Sequence, residues 1–384
     1  MASSMRMEVA VILALLVISP ALSFAGGEEG QETPAGCQLS FDGELANESV
    51  QFQTSLGPRL PGSSASSALR ESIKDNLTGW QITEKTHHVN GMVLTNLFAT
   101  WNPGSGSTVI FAAHYDTRHK ADQDWNQSRQ DEPISGANDG ASGVAVLVEL
   151  ARHIPAMNLS HEVTLFFTDG EDQGDTFDTM LLGAKAWADN LTAEEIDSIE
   201  SFVLVDMVGD SDLTLRKTSP GNSELWNRTT DTILFLDEVC ELGDTSYFDF
   251  DGYDSIYDDH VPAHQLEIPA IDIIDVRYGE NATYLGGHWH THNDTADKIS
   301  SESLQKVGQI LESGLLTGAW LDVRLLEENE ENKPEPLDNN PSNEEDDTDQ
   351  DRDDMAIGVL LMGCILLVWG NLAWLVFADK RGEG

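Results

Sequence analysis

The sequence predicts an α/β domain built on one mostly parallel mixed sheet with helices covering both faces. Two observations carry this expectation. Short apolar runs alternate with segments of helical periodicity between about residues 36 and 325, the pattern of strands buried on both sides. Each apolar run also ends in polar residues of one chemical kind, and in open α/β sheets the ligand site lies beyond the carboxyl ends of the strands. No internal repeat is visible.

The elements follow in order. STVIFAAHYD (107–116) begins as a buried strand and ends in His114, Tyr115 and Asp116. A loop leads to GANDGASG (136–143), which carries Asp139 just before a helix predicted over 143–154. EVTLFFTD (162–169) is the next strand, and the TDGEDQG that closes it brings Asp169, Glu171 and Asp172. Residues 178–190 have helical periodicity, and 201–210 form a strand containing Asp206. YDDH (257–260) adds Asp258, Asp259 and His260; 269–276 is a further strand and 300–321 a closing helix. In GHWHTHND (287–294) His288, His290 and His292 stand at every second position. On an extended strand they share one face. Three imidazoles from one strand rarely fit one tetrahedral ion, however, and zinc sites usually draw ligands from distant segments.

One pocket could therefore collect His114, Asp139, Glu171, Asp172, Asp206, Asp258 and His290. Carboxylates and imidazoles without a thiolate suit zinc in a catalytic site. Singly, these residues have plainer readings. NDG is a common turn, Asp139 serves as a helix cap, Glu171 and Asp172 belong to a solvated loop, and His114 is a hydrogen-bonded core histidine. Asp206 differs, because a carboxylate inside an apolar strand is costly without a partner. The joint placement at consecutive strand ends favours the metal site.

The flanks carry other signals. Arg6 precedes an apolar run from Val9 to Ile18 and then SFA (23–25), the layout of a secretory signal spanning 1–25. Residues 355–378 are long and apolar enough to cross a bilayer. DKR (379–381) follows that span and an acidic run precedes it, so the tail 379–384 is expected in the cytoplasm and the domain 36–325 outside the cell membrane, on a single-pass anchor. Residues 326–354, with 14 acidic residues against Lys333 and Arg352, read as a disordered stalk. They account for −12 of a net charge of −46, leaving −34. That balance excludes nucleic acid as a partner and suits a solvated surface in salty water. Cys364 lies in the span. Cys37 and Cys240 face an oxidising compartment, where a disulfide is possible, although sequence does not show that they meet. Asn47, Asn76, Asn126, Asn158, Asn190, Asn227, Asn281 and Asn293 begin Asn-x-Ser/Thr sites, which suit an outside location.

Taken together, SLGPRLPGS (55–63), HYDT, GANDGASGVAVLVELAR, FFTDGEDQG, LVDMVGD, YDDHVP, IPAIDIID and HWHTHND resemble the zinc-dependent glutaminyl cyclases. More broadly they resemble the zinc aminopeptidases of the same fold. The likeness covers about residues 50–322. It implies a zinc-aminopeptidase-like fold and one zinc held by Asp139, Asp172 and His290. It also implies Glu171 as proton shuttle, Asp206 and Asp258 in a buried acid network beside it, and Trp289 as a wall of the substrate pocket. His288 and His292 are then bystanders or supports. The implied substrates are peptide or protein N-termini, whose glutamine closes to pyroglutamate with loss of ammonia. An aminopeptidase uses the same residues differently. Two zinc ions are held there, His114 and Asp206 serve the second, Asp139 bridges, and Glu171 activates water. YDDH, HWHT and GPRLPGS favour the cyclase. One departure is that animal cyclases carry a tryptophan soon after the acid pair, where this chain has QGDTFDTM and only Phe177. A silent binding ectodomain requires a broken ligand set, and Asp139, Glu171, Asp172 and His290 are all present. The sequence leaves the oligomeric state open.

Overall fold

The computed structural model describes residues 33–324 apart from Gly243. The predicted signal segment, stalk, span and tail lie outside the described residues, among which no helix is long and apolar enough to cross a membrane. In chain order the helices are α1 (Gly43–Ser55), α2 (Ser64–Asn76), α3 (Ala141–His153), α4 (Leu182–Ala188), α5 (Ala193–Ser198), α6 (Ser223–Glu238), α7 (His260–Gln265) and α8 (Ser301–Thr317). The longer strands are β1 (Gln81–Val89), β2 (Met92–Trp101), β3 (Thr108–His114), β4 (Glu162–Thr168), β5 (Ile199–Asp206), β6 (Leu215–Ser219), β7 (Phe248–Ser255) and β8 (Ala270–Ile274).

Six strands form the main sheet in the order β1-β2-β4-β3-β5-β8. Strands β4, β3, β5 and β8 are parallel, and the β1–β2 hairpin joins β4 antiparallel. Alternation along each strand feeds two cores. Val109, Phe111, Ala113, Val203 and Val205 face the larger one, while Ile110, Ala112, Phe202 and Leu204 face the smaller. This two-sided burial is why the strands read as continuous apolar runs. On the larger face α1 packs against α3 and α8; on the other, α4 packs against α7.

Three predicted bounds were too generous. The strand 201–210 stops at Asp206, because Met207 turns into the left-handed region at φ 48°. The helix 178–190 begins only at Leu182, after Leu181 at φ 56°. The closing helix ends at Thr317, where Gly318 provides the left-handed cap. Cys37 and Cys240, left open by the sequence, are joined in a disulfide with Cα atoms 5.3 Å apart.

Candidate metal centre

The chain runs from β3 through α3 to β4 on one side, and β5 lies on the other side of β3. The switch point therefore falls between β3 and β5, where a crevice opens at the strand ends. His114 ends β3 and Asp206 ends β5. Asp139 enters the same crevice from the turn before α3. Gly140 makes that turn possible: its φ is 99°, and a Cβ there would stand 2.5 Å from the Asp116 carbonyl oxygen.

Asp139, Asp172 and His290 are all buried, and each offers one ligand atom within 4.8 Å of the others. His290 Nε2 lies 3.5 Å from Asp139 Oδ2 and 3.3 Å from Asp172 Oδ2. Neither of those carboxylate oxygens has a hydrogen-bond partner. Tetrahedral zinc with bonds of about 2.0–2.2 Å sets its ligand atoms about 3.4 Å apart, so the spacing and the orphaned oxygens fit a small cation. Electrostatics agree. Burial works against charge on His290, yet Asp172, Asp122 and Asp139 lift its imidazole to about 10. The site calls for positive charge.

The HWH stretch is a turn, and His290 sits at φ 54°. This twist parts the three histidines. His288 packs edge-on against Tyr278, and His292 Nδ1 pairs with Asp124 Oδ2 at 2.8 Å. Only His290 enters the crevice, with Trp289 stacked on it at 3.6 Å between ring centroids.

A second group, His114, Asp139 and Asp206, also converges. Its imidazole is already hydrogen-bonded to one of its carboxylates. His114 Nε2 is 3.1 Å from Asp206 Oδ1 and 3.3 Å from Asp139 Oδ1, and Asp206 Oδ1 also accepts from the Met207 amide at 2.8 Å. Burial opposes charge on His114, but Asp206, Asp116 and Asp139 hold its pKa well above the usual imidazole value.

Glu171 lies beside these groups, with Oε2 4.0 Å from His114 Nδ1. Burial, then Asp258 and Asp172, push its carboxyl well above the ordinary range. Asp258 is raised in the same way by burial, Asp206 and Asp259, and Asp206 is raised chiefly by burial. A cavity of about 610 Å³ opens over these acids; Trp289, Met207, Ile274 and Tyr257 are among its walls. Phe177 stands at its rim, 64% exposed and edge-on to Tyr257.

Sequence reasoning missed the residues that hold this arrangement. Asp294 accepts from the amides of Ala137, Asn138 and Asp139, and so fixes the turn carrying Asp139. Asp116 accepts from the amides of Glu171 and Asp172 at 3.0 and 3.1 Å. The buried Arg59 donates to the carbonyls of Ser135 and Gly136. The RLPG motif held a signal for Arg59, since a charged residue stands there among turn formers, but nothing in the sequence named its acceptors.

The model of peptidase family M28 matches residues 96–314. The glutaminyl-peptide cyclotransferase of Bothrops jararaca is 24% identical over 320 residues, covering 72% of this chain and 83% of that protein. The crystal structure of Porphyromonas gingivalis glutaminyl cyclase superposes with a TM-score of 0.62 at 30% identity, over 75% of this chain and 99% of that one. A zinc-dependent exopeptidase from Parabacteroides distasonis superposes with a TM-score of 0.63 at 26% identity, over 72% and 99%.

Proposed function

The chain belongs to peptidase family M28, and from that premise we propose that it is a glutaminyl-peptide cyclotransferase. It closes the N-terminal glutamine of peptides and proteins to pyroglutamate and releases ammonia. The observation that carries the metal assignment is the pair of orphaned oxygens, Asp139 Oδ2 and Asp172 Oδ2, facing His290 Nε2 at a tetrahedral spacing. We assign these three residues as the ligands of one zinc ion. In the other group His114 Nε2 is already hydrogen-bonded to Asp206 Oδ1, which supports one ion rather than two.

In this reading zinc, when bound, supplies Lewis acidity toward the glutamine side-chain carbonyl. Glu171 takes a proton from the substrate's α-amine as the new C–N bond forms. It returns that proton to the side-chain nitrogen, which departs as ammonia when its bond to carbon breaks. A carboxyl raised by burial and by Asp258 suits both transfers near neutral pH. Asp206 and Asp258 keep a buried acid network behind it. Trp289 walls the pocket and holds the reacting chain in a near-attack shape. The test is to count zinc in the purified protein and to assay a peptide beginning with glutamine. One zinc per chain, ammonia release and an otherwise intact peptide are expected. Two zincs and free amino acids from several N-termini would favour an aminopeptidase instead.

We also propose that the domain works outside the cell, tethered by residues 355–378. The Cys37–Cys240 disulfide supports an oxidising compartment. A chain ending at Arg324 should then be soluble and active, and its aggregation would count against the tether.

A further inference from the structure

Two of the three assigned ligands are tied together behind the metal site by one short segment of a loop that the reaction does not use. Arg118 is buried, at 4% exposed. Its Nη1 donates to Asp172 Oδ1 at 2.9 Å and to the Gly174 carbonyl at 2.7 Å. Its Nε and Nη2 donate to Asp122 Oδ1 and Oδ2 at 3.2 and 3.0 Å, a two-pronged clasp of the carboxylate four residues further along the loop. Nη2 also reaches Asp175 Oδ1 at 3.0 Å. Asp122 in turn lies 3.2 Å from His290 Nδ1, as an ion pair rather than an aligned hydrogen bond. The same loop docks on the histidine turn through its backbone, where the Gln123 amide donates to the His290 carbonyl at 3.2 Å.

We propose that Arg118 and Asp122 are positioning residues that form one bridge between Asp172 and His290 and set both ligating atoms for zinc. The bridge rests on the one-zinc assignment above. Its chemistry follows from the two ends. At one end the guanidinium occupies Asp172 Oδ1, so only Oδ2 is presented to the ion and the carboxylate binds through one oxygen. At the other end a carboxylate beside Nδ1 favours the tautomer that carries its hydrogen there, leaving the Nε2 lone pair for the metal. Arginine is the residue such a bridge requires. Its rigid fork serves two carboxylates at once, whereas the ammonium of lysine is a point charge on a flexible stem. Asp172 and His290 are 118 residues apart in the chain, yet through Arg118 and Asp122 they are neighbours in one charged chain of contacts.

The test uses the full-length protein and zinc itself, with affinity read by competition with a chelator. Arg118→Ala, Arg118→Lys and Asp122→Ala should each weaken zinc binding by about 10–100-fold, the range for partners that orient metal ligands. The double variant Arg118→Ala/Asp122→Ala should lose less than the product of the single losses, because both act on one bridge. Asp122→Asn retains an acceptor for His290 and should recover part of the affinity lost in Asp122→Ala. Cobalt loaded in place of zinc gives a second readout, and its visible absorption should change in Arg118→Ala if Asp172 rotates to offer both oxygens. Asp124→Ala, which removes the comparable contact at His292, should leave affinity and spectrum unchanged. Should Arg118→Ala fail to fold, Asp122→Ala and Arg118→Lys carry the test. Zinc affinity within about twofold of the native value in these variants, with an unchanged cobalt spectrum, would overturn the bridge and leave the zinc assignment standing. A native protein that binds no zinc would overturn the assignment itself.

Discussion

Two groups of candidate ligands share Asp139, and their distances are nearly the same. His290 stands 3.3 and 3.5 Å from its carboxylates, and His114 stands 3.1 and 3.3 Å from its own. They differ in what surrounds them. Around His290 two carboxylate oxygens lack partners, and the bridge from Arg118 takes up the other oxygen of Asp172. Around His114 the imidazole is already hydrogen-bonded to Asp206, and a backbone amide adds a bond to the same carboxylate. The imidazole pKa is raised in both groups and does not separate them. The right residues at the right spacing do not by themselves define a metal site; the hydrogen bonds that the neighbours have already made decide it.

That contrast can be broken most directly at His290. His290→Ala should lower zinc affinity by more than about 100-fold, beyond the 10–100-fold that outer partners contribute, and activity should disappear with the metal. Zinc content by elemental analysis checks this, and retained zinc would erase the difference between the groups. Glu171→Gln comes next. It should cut turnover by about 10²–10⁴-fold, the range for general acid–base groups, while zinc stays bound.

The pH profile sharpens the same point. Glu171 must be ionised to accept the first proton, and its pKa is raised. Activity should therefore fall, as pH drops, at values above the usual carboxylate range. Burial is the larger cause of that rise and survives substitution nearby, but Asp258→Asn removes the next cause. The acid limb of kcat should move to lower pH in that variant, and an unmoved limb would mean that another group controls it. A smaller effect is expected at His114. His114→Ala should retain one zinc per chain and activity within about tenfold, the low end of what an outer partner contributes. Collapse of metal content there would make the second group a true ligand set. The least effect belongs to His288→Ala and His292→Ala, each within about twofold in zinc affinity, the scale of substitutions away from a site's working contacts.

The strand-end acids were legible because an apolar run ending in a carboxylate is visible in one dimension. The alternation of strands with helices exposed the parallel sheet for the same reason. His290 was singled out among its neighbours only by resemblance, since its separation from His288 and His292 depends on a left-handed residue that no local pattern announces. Asp116 was legible only as a strand-end acid, without its role, and Asp294 and Asp122 were not singled out at all. Each bonds groups that are distant in sequence; the three amides held by Asp294 are 155 to 157 residues away. The rim of the cavity was misread as the start of α4, because residues 178–181 continue its helical periodicity while Leu181 breaks its geometry.

The disulfide has a consequence for the timing of synthesis. Cys37 precedes Cys240 by 203 residues, which at about 5–20 residues per second takes about 10–40 s to make. Through that interval the first thiol has no partner. Even then the bond is not free to settle. The turn that carries Cys37 packs against α8, and a Cβ on Gly36 would stand 2.6 Å from Thr317 and 2.7 Å from Phe235. The last helix among the described residues therefore forms the seat for one of the first residues of the domain to emerge. Oxidation of this pair is a closing latch rather than a guide, and the loss of the Cys37 and Cys240 thiols marks the moment when the two ends of the domain have found each other.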